Sequence, residues 1–320
     1  MGPIRRAKAL RRGLITAGVI ICGMVYHTDA EELKRPHLVG EWWQVAGDPD
    51  LGELTTPRQQ PVDFGLWQAA DGTWQLWSCI RGTKEPGHTR LFYRWEGAKL
   101  TDKDWKPVGI AMHADPTKGE SLGGLQAPFV FKDGARWVMF YGCWDDIGSA
   151  AGTDGKDFFR LLHAERKVGL LGNQPGNPRD PMVLRVGQRW LLYYTAHPEN
   201  HGADYCRTSE DLRTWSEPKM VAKGGAAGNG PYSAECPFVV EREPGQFYLF
   251  RTQHYGVNAQ TSVYFSSDPM DFGIENDAGH FLGTLPVAAP EIVRNEKGEW
   301  FIAALLPSLK GIQAARLEWR

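Results

Sequence analysis

The sequence is short of the features that mark a nucleic-acid, metal or membrane protein. Its 320 residues carry a net charge of only −2, so there is no basic surplus for a phosphate backbone, and no nucleic-acid partner is expected. Of five cysteines, Cys22 lies near the front. The other four, Cys79, Cys143, Cys206 and Cys236, are widely spaced with no Cys-x-x-Cys pair. That spacing excludes a zinc-ribbon ligand set and, in so long a chain, a disulfide framework. Three of the four fall in apolar strand-like runs and read as small core residues. No oxygen-rich loop of the calcium-binding kind is present, so neither a metal nor another cofactor is expected. Helical periodicity of useful length is missing after the first thirty residues.

Long apolar runs are scarce too. One is Leu14 to Tyr26, which follows Arg5, Arg6, Lys8, Arg11 and Arg12 and precedes the small-residue site Thr28-Asp29-Ala30. A basic front, a short apolar stretch and such a site read as a secretory signal over residues 1–30, too short to cross a membrane with ease. Arg11-Arg12-Gly13-Leu14-Ile15 loosely resembles a twin-arginine signal. The expectation is a secreted or periplasmic protein, with an uncleaved N-terminal anchor as the alternative and no other membrane contact, and with residues 31–320 as one domain.

What the chain does have is tryptophan, 13 residues, and glycine, 37 residues, the mark of many short strands joined by tight turns. It also has a repeat. Pro128, Pro181, Pro237 and Pro290 each open an apolar run, and an aromatic follows nine or ten residues later at Trp137, Trp190, Phe247 and Trp300. Counting back from Trp74 gives a fifth copy at Phe64. The copies recur every 53 to 64 residues, each with a Gly-containing turn and a second, strongly aromatic strand. Third strands are read at Arg90 to Trp95, Asp204 to Thr208, Thr261 to Ser266 and Ile312 to Trp319. Turns with an Asp and an aromatic four residues on follow at Asp154 and Phe158, Asp211 and Trp215, and Asp268 and Phe272, with Asp102 and Trp105 as a near copy. Four short strands repeated radially make a propeller blade. The fold class expected is all-β: a five-bladed β-propeller with four-stranded antiparallel blades. The last unit runs out after three strands, so residues 38–45 are expected to supply its outer strand and close the ring.

In such a ring the innermost strands line a central channel, and the residues just before each proline position converge at its mouth. Three of those residues are acids: Asp63, Asp180 and Glu235. Acids crowded at an apolar-walled opening repel and desolvate one another, which raises at least one pKa and suits a general acid. Glycoside cleavage uses such a set. The simpler reading is that Asp-Pro caps a turn; it accounts for Asp180 better than for Glu235. Gln126 and Arg179 share Glu235's repeat position and are candidate sugar-hydroxyl partners. Trp67 is a candidate stacking platform. Arg251 and His254, beyond the second strand of the Glu235 blade, are further candidates. Glu291, one residue past its proline, is a weaker one, because strand alternation can turn it off the channel wall. Cys143-Trp144-Asp145-Asp146 in the second unit can add contacts, although Asp145-Asp146 reads more simply as a solvated loop.

Two of these motifs carry a family likeness. Arg179-Asp180-Pro181 resembles the Arg-Asp-Pro motif of glycoside hydrolase family 32, the invertase and levanase type, and Glu235-Cys236-Pro237 resembles that family's Glu-Cys motif. The resemblance implies Asp63 as nucleophile and Glu235 as acid/base. The first block departs from it: the family has Asn-Asp-Pro-Asn-Gly where this chain has Val62-Asp63-Phe64-Gly65-Leu66. A lone five-bladed ring is similar to family 43, the arabinofuranosidases and xylosidases, where the same order of acids implies Asp63 as base, Asp180 as pKa modulator and Glu235 as acid. The expected function is therefore an exported glycoside hydrolase acting on an oligo- or polysaccharide, with a furanoside bond favoured. Two alternatives stand beside it: a carbohydrate-binding propeller without chemistry, and a phosphorylase or lyase using Arg81, Arg179 and Arg251 as its cations.

Overall fold

Apolar side chains on both faces of short strands, punctuated by Gly-containing turns, build five sheets arranged radially. Blade I is β2 (Gln60–Gln68), β3 (Trp74–Arg81), β4 (Leu91–Gly97) and β5 (Lys106–Met112), each pairing antiparallel with the next. Blade II is β6 (Gln126–Asp133), β7 (Arg136–Gly142), β8 (Ile147–Gly152) and the two-residue β9 (Phe159–Arg160). Blade III is β10 (Arg179–Val186), β11 (Arg189–Ala196), β12 (Ala203–Ser209) and β13 (Lys219–Gly224). Blade IV is β14 (Glu235–Glu243), β15 (Gln246–His254), β16 (Gln260–Ser266) and β18 (Phe281–Leu285). Its loop lends a short β17 (Ile274–Glu275), which pairs parallel with β13 of blade III. Blade V takes β19 (Glu291–Arg294), β20 (Trp300–Leu305) and β21 (Gly311–Trp319) from the end of the chain and β1 (Pro36–Gly47) from its beginning.

The ladder between β1 and β21 runs from Pro36 opposite Trp319 to Gly47 opposite Gly311. It closes the ring as the repeat predicts, with a longer strand than expected. This computed structural model describes Gly2, residues 33–172, Gln174 and residues 176–320. The signal segment expected over residues 1–30, Gly2 aside, lies outside the described residues.

The blades are locked together by the aromatic that follows each turn Asp. Asp154 Oδ1 accepts from the backbone N–H of Lys156 and Asp157 at 2.8 and 3.0 Å, and Asp211 Oδ1 accepts from Arg213 and Thr214, both at 2.8 Å. These bonds favour the charged carboxylate and hold Asp211 down at about 2. The turn then swings its aromatic into the preceding blade. Phe158 meets Trp67 and Trp77 of blade I edge-on, with centroids 5.8 and 5.4 Å apart, and Trp215 meets Phe140 of blade II at 5.9 Å. The backbone N–H of Phe272 donates to Val221 O of blade III, and that of Trp105 to Val45 O of blade V, each at 2.8 Å.

The third strand of blade II carries no aromatic signal. Its sequence is Ile-Gly-Ser-Ala-Ala-Gly. A Cβ on Gly148 would lie 2.8 Å from the ring of Tyr141 on the neighbouring strand, so the strand is built from small residues and reads as loop by composition.

Candidate active site

The proline positions mark a backbone irregularity shared by all five blades. Asp63, Ala127, Asp180, Cys236 and Ala289 have φ between +37° and +56°, in the left-handed region that residues with a side chain seldom occupy. In blades I to IV the ladder to the second strand slips at this point, between Val62 and Phe64, Gln126 and Phe129, Arg179 and Met182, and Glu235 and Phe238. A bulge of this sort re-aims side chains. Two consecutive residues then face the channel mouth where a regular strand would present one. That is why acids at two adjacent repeat positions, Asp180 on one and Glu235 on the other, belong to a single cluster.

Cys236 sits at its centre. Its Sγ is 3.5 Å from Asp63 Oδ1 and 3.7 Å from Asp180 Oδ2, and its backbone N–H donates to Asp180 Oδ2 at 3.0 Å. Arg179 serves the group as its cation. Its Nη2 and Nε donate to Glu235 Oε1 at 2.7 and 3.2 Å, and Nε is 3.8 Å from Asp180 Oδ2. Nη1 donates to Asn177 O and to His197 Nδ1, both at 3.0 Å. A guanidinium only donates, so this imidazole nitrogen is the acceptor. Burial and the Arg179 charge lower the His197 pKa, which favours that neutral form. Tyr255 hydrogen-bonds Glu235 from the other side, and its hydroxyl lies 3.4 Å from Cys236 Sγ.

Burial and the neighbouring Asp63 charge push Asp180 well above the usual carboxylate range, against the pull of Arg179. Glu235 is raised as well, chiefly by burial and then by Asp63, with Arg179 and Tyr255 restraining the shift. The Glu235 side chain keeps 15% of its surface exposed, against 4% for Asp180. Asp180 Oδ1 is buried and has no hydrogen-bond partner among the described residues. The arrangement places a carboxyl group whose pKa is raised at a solvent-reaching position, with a second carboxyl group nearby. Those are the parts general acid and base catalysis requires.

Asp63 and Glu235 line a cleft of about 550 Å³ together with Arg81, Arg90, Gln126, Trp144, Asn177, Arg179, His197, Tyr232 and Tyr255. A space of that size suits a sugar residue or two. Beneath it Asp63, Asp180, Ala289 and Glu291 border a narrow gap of about 20 Å³, room for roughly one water. Glu291 thus faces the channel floor, away from the cleft, and burial alone raises its pKa well above normal.

Three expected contacts need correcting. Trp67 is buried at 6% exposure, and its indole N–H donates to Gly155 O at 2.7 Å. It belongs to the seam between blades I and II and is no stacking platform. Arg251 is wholly buried, donating to Ser233 O at 3.0 Å and lying 3.7 Å from Asp204. It braces the backbone just before Glu235 from behind. His254 is exposed at the end of β15 and outside the cleft lining, while the next residue, Tyr255, turns inward, as alternation along an extended chain dictates. The aromatic surface of the cleft comes from Trp144, expected as an added contact in the second unit, and from Tyr232 and Tyr255, which carry no repeat signal. Of the acidic pair in the Trp144 loop, Asp145 is exposed, whereas Asp146 is buried and accepts from the N–H groups of Ile147, Leu171 and Gly172.

No protein-family model matches the chain, and no curated protein matches it in sequence. Solved structures match it in fold. A thermostable family 43 glycoside hydrolase superposes with a TM-score of 0.61 at 16% identity, over 82% of this chain and 90% of that one. An endo-arabinase of Bacteroides thetaiotaomicron gives 0.61 at 12% identity, over 81% and 93%. A family 32 β-fructofuranosidase of Bombyx mori gives 0.57 at 14% identity, over 89% of this chain and 62% of that one. The ring is the five-bladed propeller seen in glycoside hydrolases of families 43 and 32. Identities this low speak for the fold alone.

Proposed function

We propose that this protein hydrolyses a glycosidic bond in an oligo- or polysaccharide, with Glu235 as the proton donor. The observation that carries this is the raised, Arg179-held Glu235 facing the same cleft as Asp63. Arg179 and Tyr255 hold the Glu235 carboxyl in place, and from there it delivers its proton to the departing glycosidic oxygen. As that bond breaks, positive charge develops at the anomeric carbon, and Asp63 either attacks it or takes a proton from the water that does. Asp180, held toward its neutral form by burial, limits the negative charge that gathers around Asp63 and Glu235. Tyr232, 60% exposed at the cleft, offers a face on which a sugar ring stacks.

A furanoside substrate is favoured by the motif likeness, and action outside the cytoplasm by the basic and apolar character of residues 1–30. Arg251, one of the three cations expected to serve a phosphorylase, is enclosed behind the site and takes no part in it. The test is a panel of aryl furanosides and pyranosides offered to the wild type and to Glu235→Gln. Turnover of at least one substrate by the wild type, lowered by roughly 10²- to 10⁴-fold in the variant, is expected. A variant that cleaves at the full rate would overturn the assignment. Sugar binding without turnover, indifferent to Asp63→Asn, would identify a binding module instead.

A further inference from the structure

Two cations in the cleft take no part in the acid cluster. Arg81 ends β3 and Arg90 immediately precedes β4. The ladder between these strands ends with Ile80 opposite Leu91, so Arg81 and Arg90 each lie one residue beyond its last rung, where the backbone of Arg90 bridges Gly124. Like charges on neighbouring strands repel when left without a counter-charge. Both side chains are half-buried and both line the cleft. Among the described residues neither guanidinium has an ion-pair partner: Arg81 Nε donates to the neutral Gln60 Oε1 at 2.9 Å, and Arg90 lies 5.3 Å from the Trp144 ring centroid, over its face. Trp144 is in turn stacked on His88, 3.6 Å between centroids and 14° from parallel.

We infer that Arg81 and Arg90 form a subsite for an oxyanion carried by the sugar, a carboxylate or a sulfate ester, in the part of the cleft between Asp63 and Trp144. The inference rests on the proposed glycoside hydrolysis for its substrate class, but the anion recognition itself can be tested without turnover. Gln60 and Trp144 hold the two guanidinium groups in place before a ligand arrives, so little side-chain freedom is lost on binding. Planar forks suit an oxyanion in two-point contact, and lysines would not replace them. A neutral sugar seated here would leave both charges partly desolvated and unpaired, so the site selects against it as well as for its acidic counterpart.

The experiment is calorimetric titration of full-length Glu235→Gln, which keeps the cleft but not the proton donor, with galacturonate, galactose and inorganic phosphate. The same titrations are repeated with R81Q and R90Q added, singly and together. Galacturonate should bind at least about tenfold more tightly than galactose, with the preference shrinking as salt rises and vanishing in the double variant. The single variants, checked for an unchanged thermal midpoint, should each lose part of it. Equal binding of the two sugars overturns the inference, as does a preference that survives both substitutions. Phosphate binding as tightly as galacturonate also overturns it, since the site would then take a free anion. These outcomes stay separate from the catalytic reading: loss of hydrolysis in Glu235→Gln on a neutral substrate, with no acid preference, would leave the hydrolase intact and remove only the subsite.

Discussion

Replacing Arg179 by Met removes the cation that holds Glu235 and Asp180, and its consequence can be worked from the contacts. Glu235 loses two charged hydrogen bonds to Oε1, at 2.7 and 3.2 Å, and Asp180 loses a guanidinium 3.8 Å away. A hydrogen bond to a charged group contributes about 1.5–3 kcal/mol, which corresponds to an upward pKa change of roughly 1–2 units. The proton donor must be protonated to act, so raising its pKa moves the basic limb of the kcat/KM profile to higher pH by about that amount, read as an apparent value of the coupled acids. The rate on the plateau should fall at the same time, because Oε1 is no longer held and the donor is out of position. Breaking a fully buried ion pair destabilises by about 3–5 kcal/mol; with Glu235 partly exposed the loss should be nearer 2–3 kcal/mol. The assay is the pH dependence of aryl glycoside hydrolysis from about pH 4 to 9, paired with urea unfolding. Arg179→Lys, which keeps the charge without the fork, should move the limb less than half as far. A folded Arg179→Met protein whose basic limb stays where the wild type has it would refute the account of what tunes Glu235.

Other substitutions follow from the same contacts. Tyr255→Phe removes a second donor to Glu235, so the basic limb should rise by up to about one unit with a smaller loss of rate; an unchanged pH profile would argue against the contact. Gly65→Ala would put a Cβ 2.3 Å from the carbonyl oxygen of Pro128, forcing the inner strands of blades I and II apart. A loss of about 1–3 kcal/mol or more, seen as a thermal midpoint several degrees lower, is expected, and a wild-type midpoint would contradict the packing. Burial raises Asp204 to about 7. The native state then binds a proton that the unfolded chain, with its carboxylate near 4, has released. Stability from this group is full below about pH 4, declines up to about pH 7 and is level above it. Asp204→Asn should reduce the drop in urea midpoint between pH 5 and 8; a drop of the same size would show that Asp204 is not responsible.

The ring was readable because its period is carried by residues that geometry constrains. Proline after a left-handed residue recurs in four blades, and the turn Asp with its aromatic recurs because that aromatic must fill the preceding blade. Asp63 has Phe64 where the other blades have proline, yet the spacing to Trp74 still located it. Signals failed where neighbours override local pattern. Gly148 and its small companions on β8 answer to the ring of Tyr141, which no composition rule anticipates. Trp67 looked like a sugar platform from its nearness to Asp63, but it is consumed by the seam with blade II. Position after the second strand of the acid-bearing blade points to Arg251 and His254, but the chain turns Tyr255, not either of them, into the cleft. Arg90 carries no local signal of a site role, since it stands just before the third strand of blade I, after a long loop.

The most direct test of the account is a leaving-group series: aryl glycosides of one sugar, with phenols of graded acidity, hydrolysed by the wild type and by Glu235→Gln. If Glu235 delivers the proton to the departing oxygen, the rate ratio between the two proteins should widen as the phenol becomes less acidic, approaching about 10²- to 10⁴-fold for the poorest leaving group and narrowing sharply for the best. A ratio that stays constant across the series would contradict Glu235 as the acid.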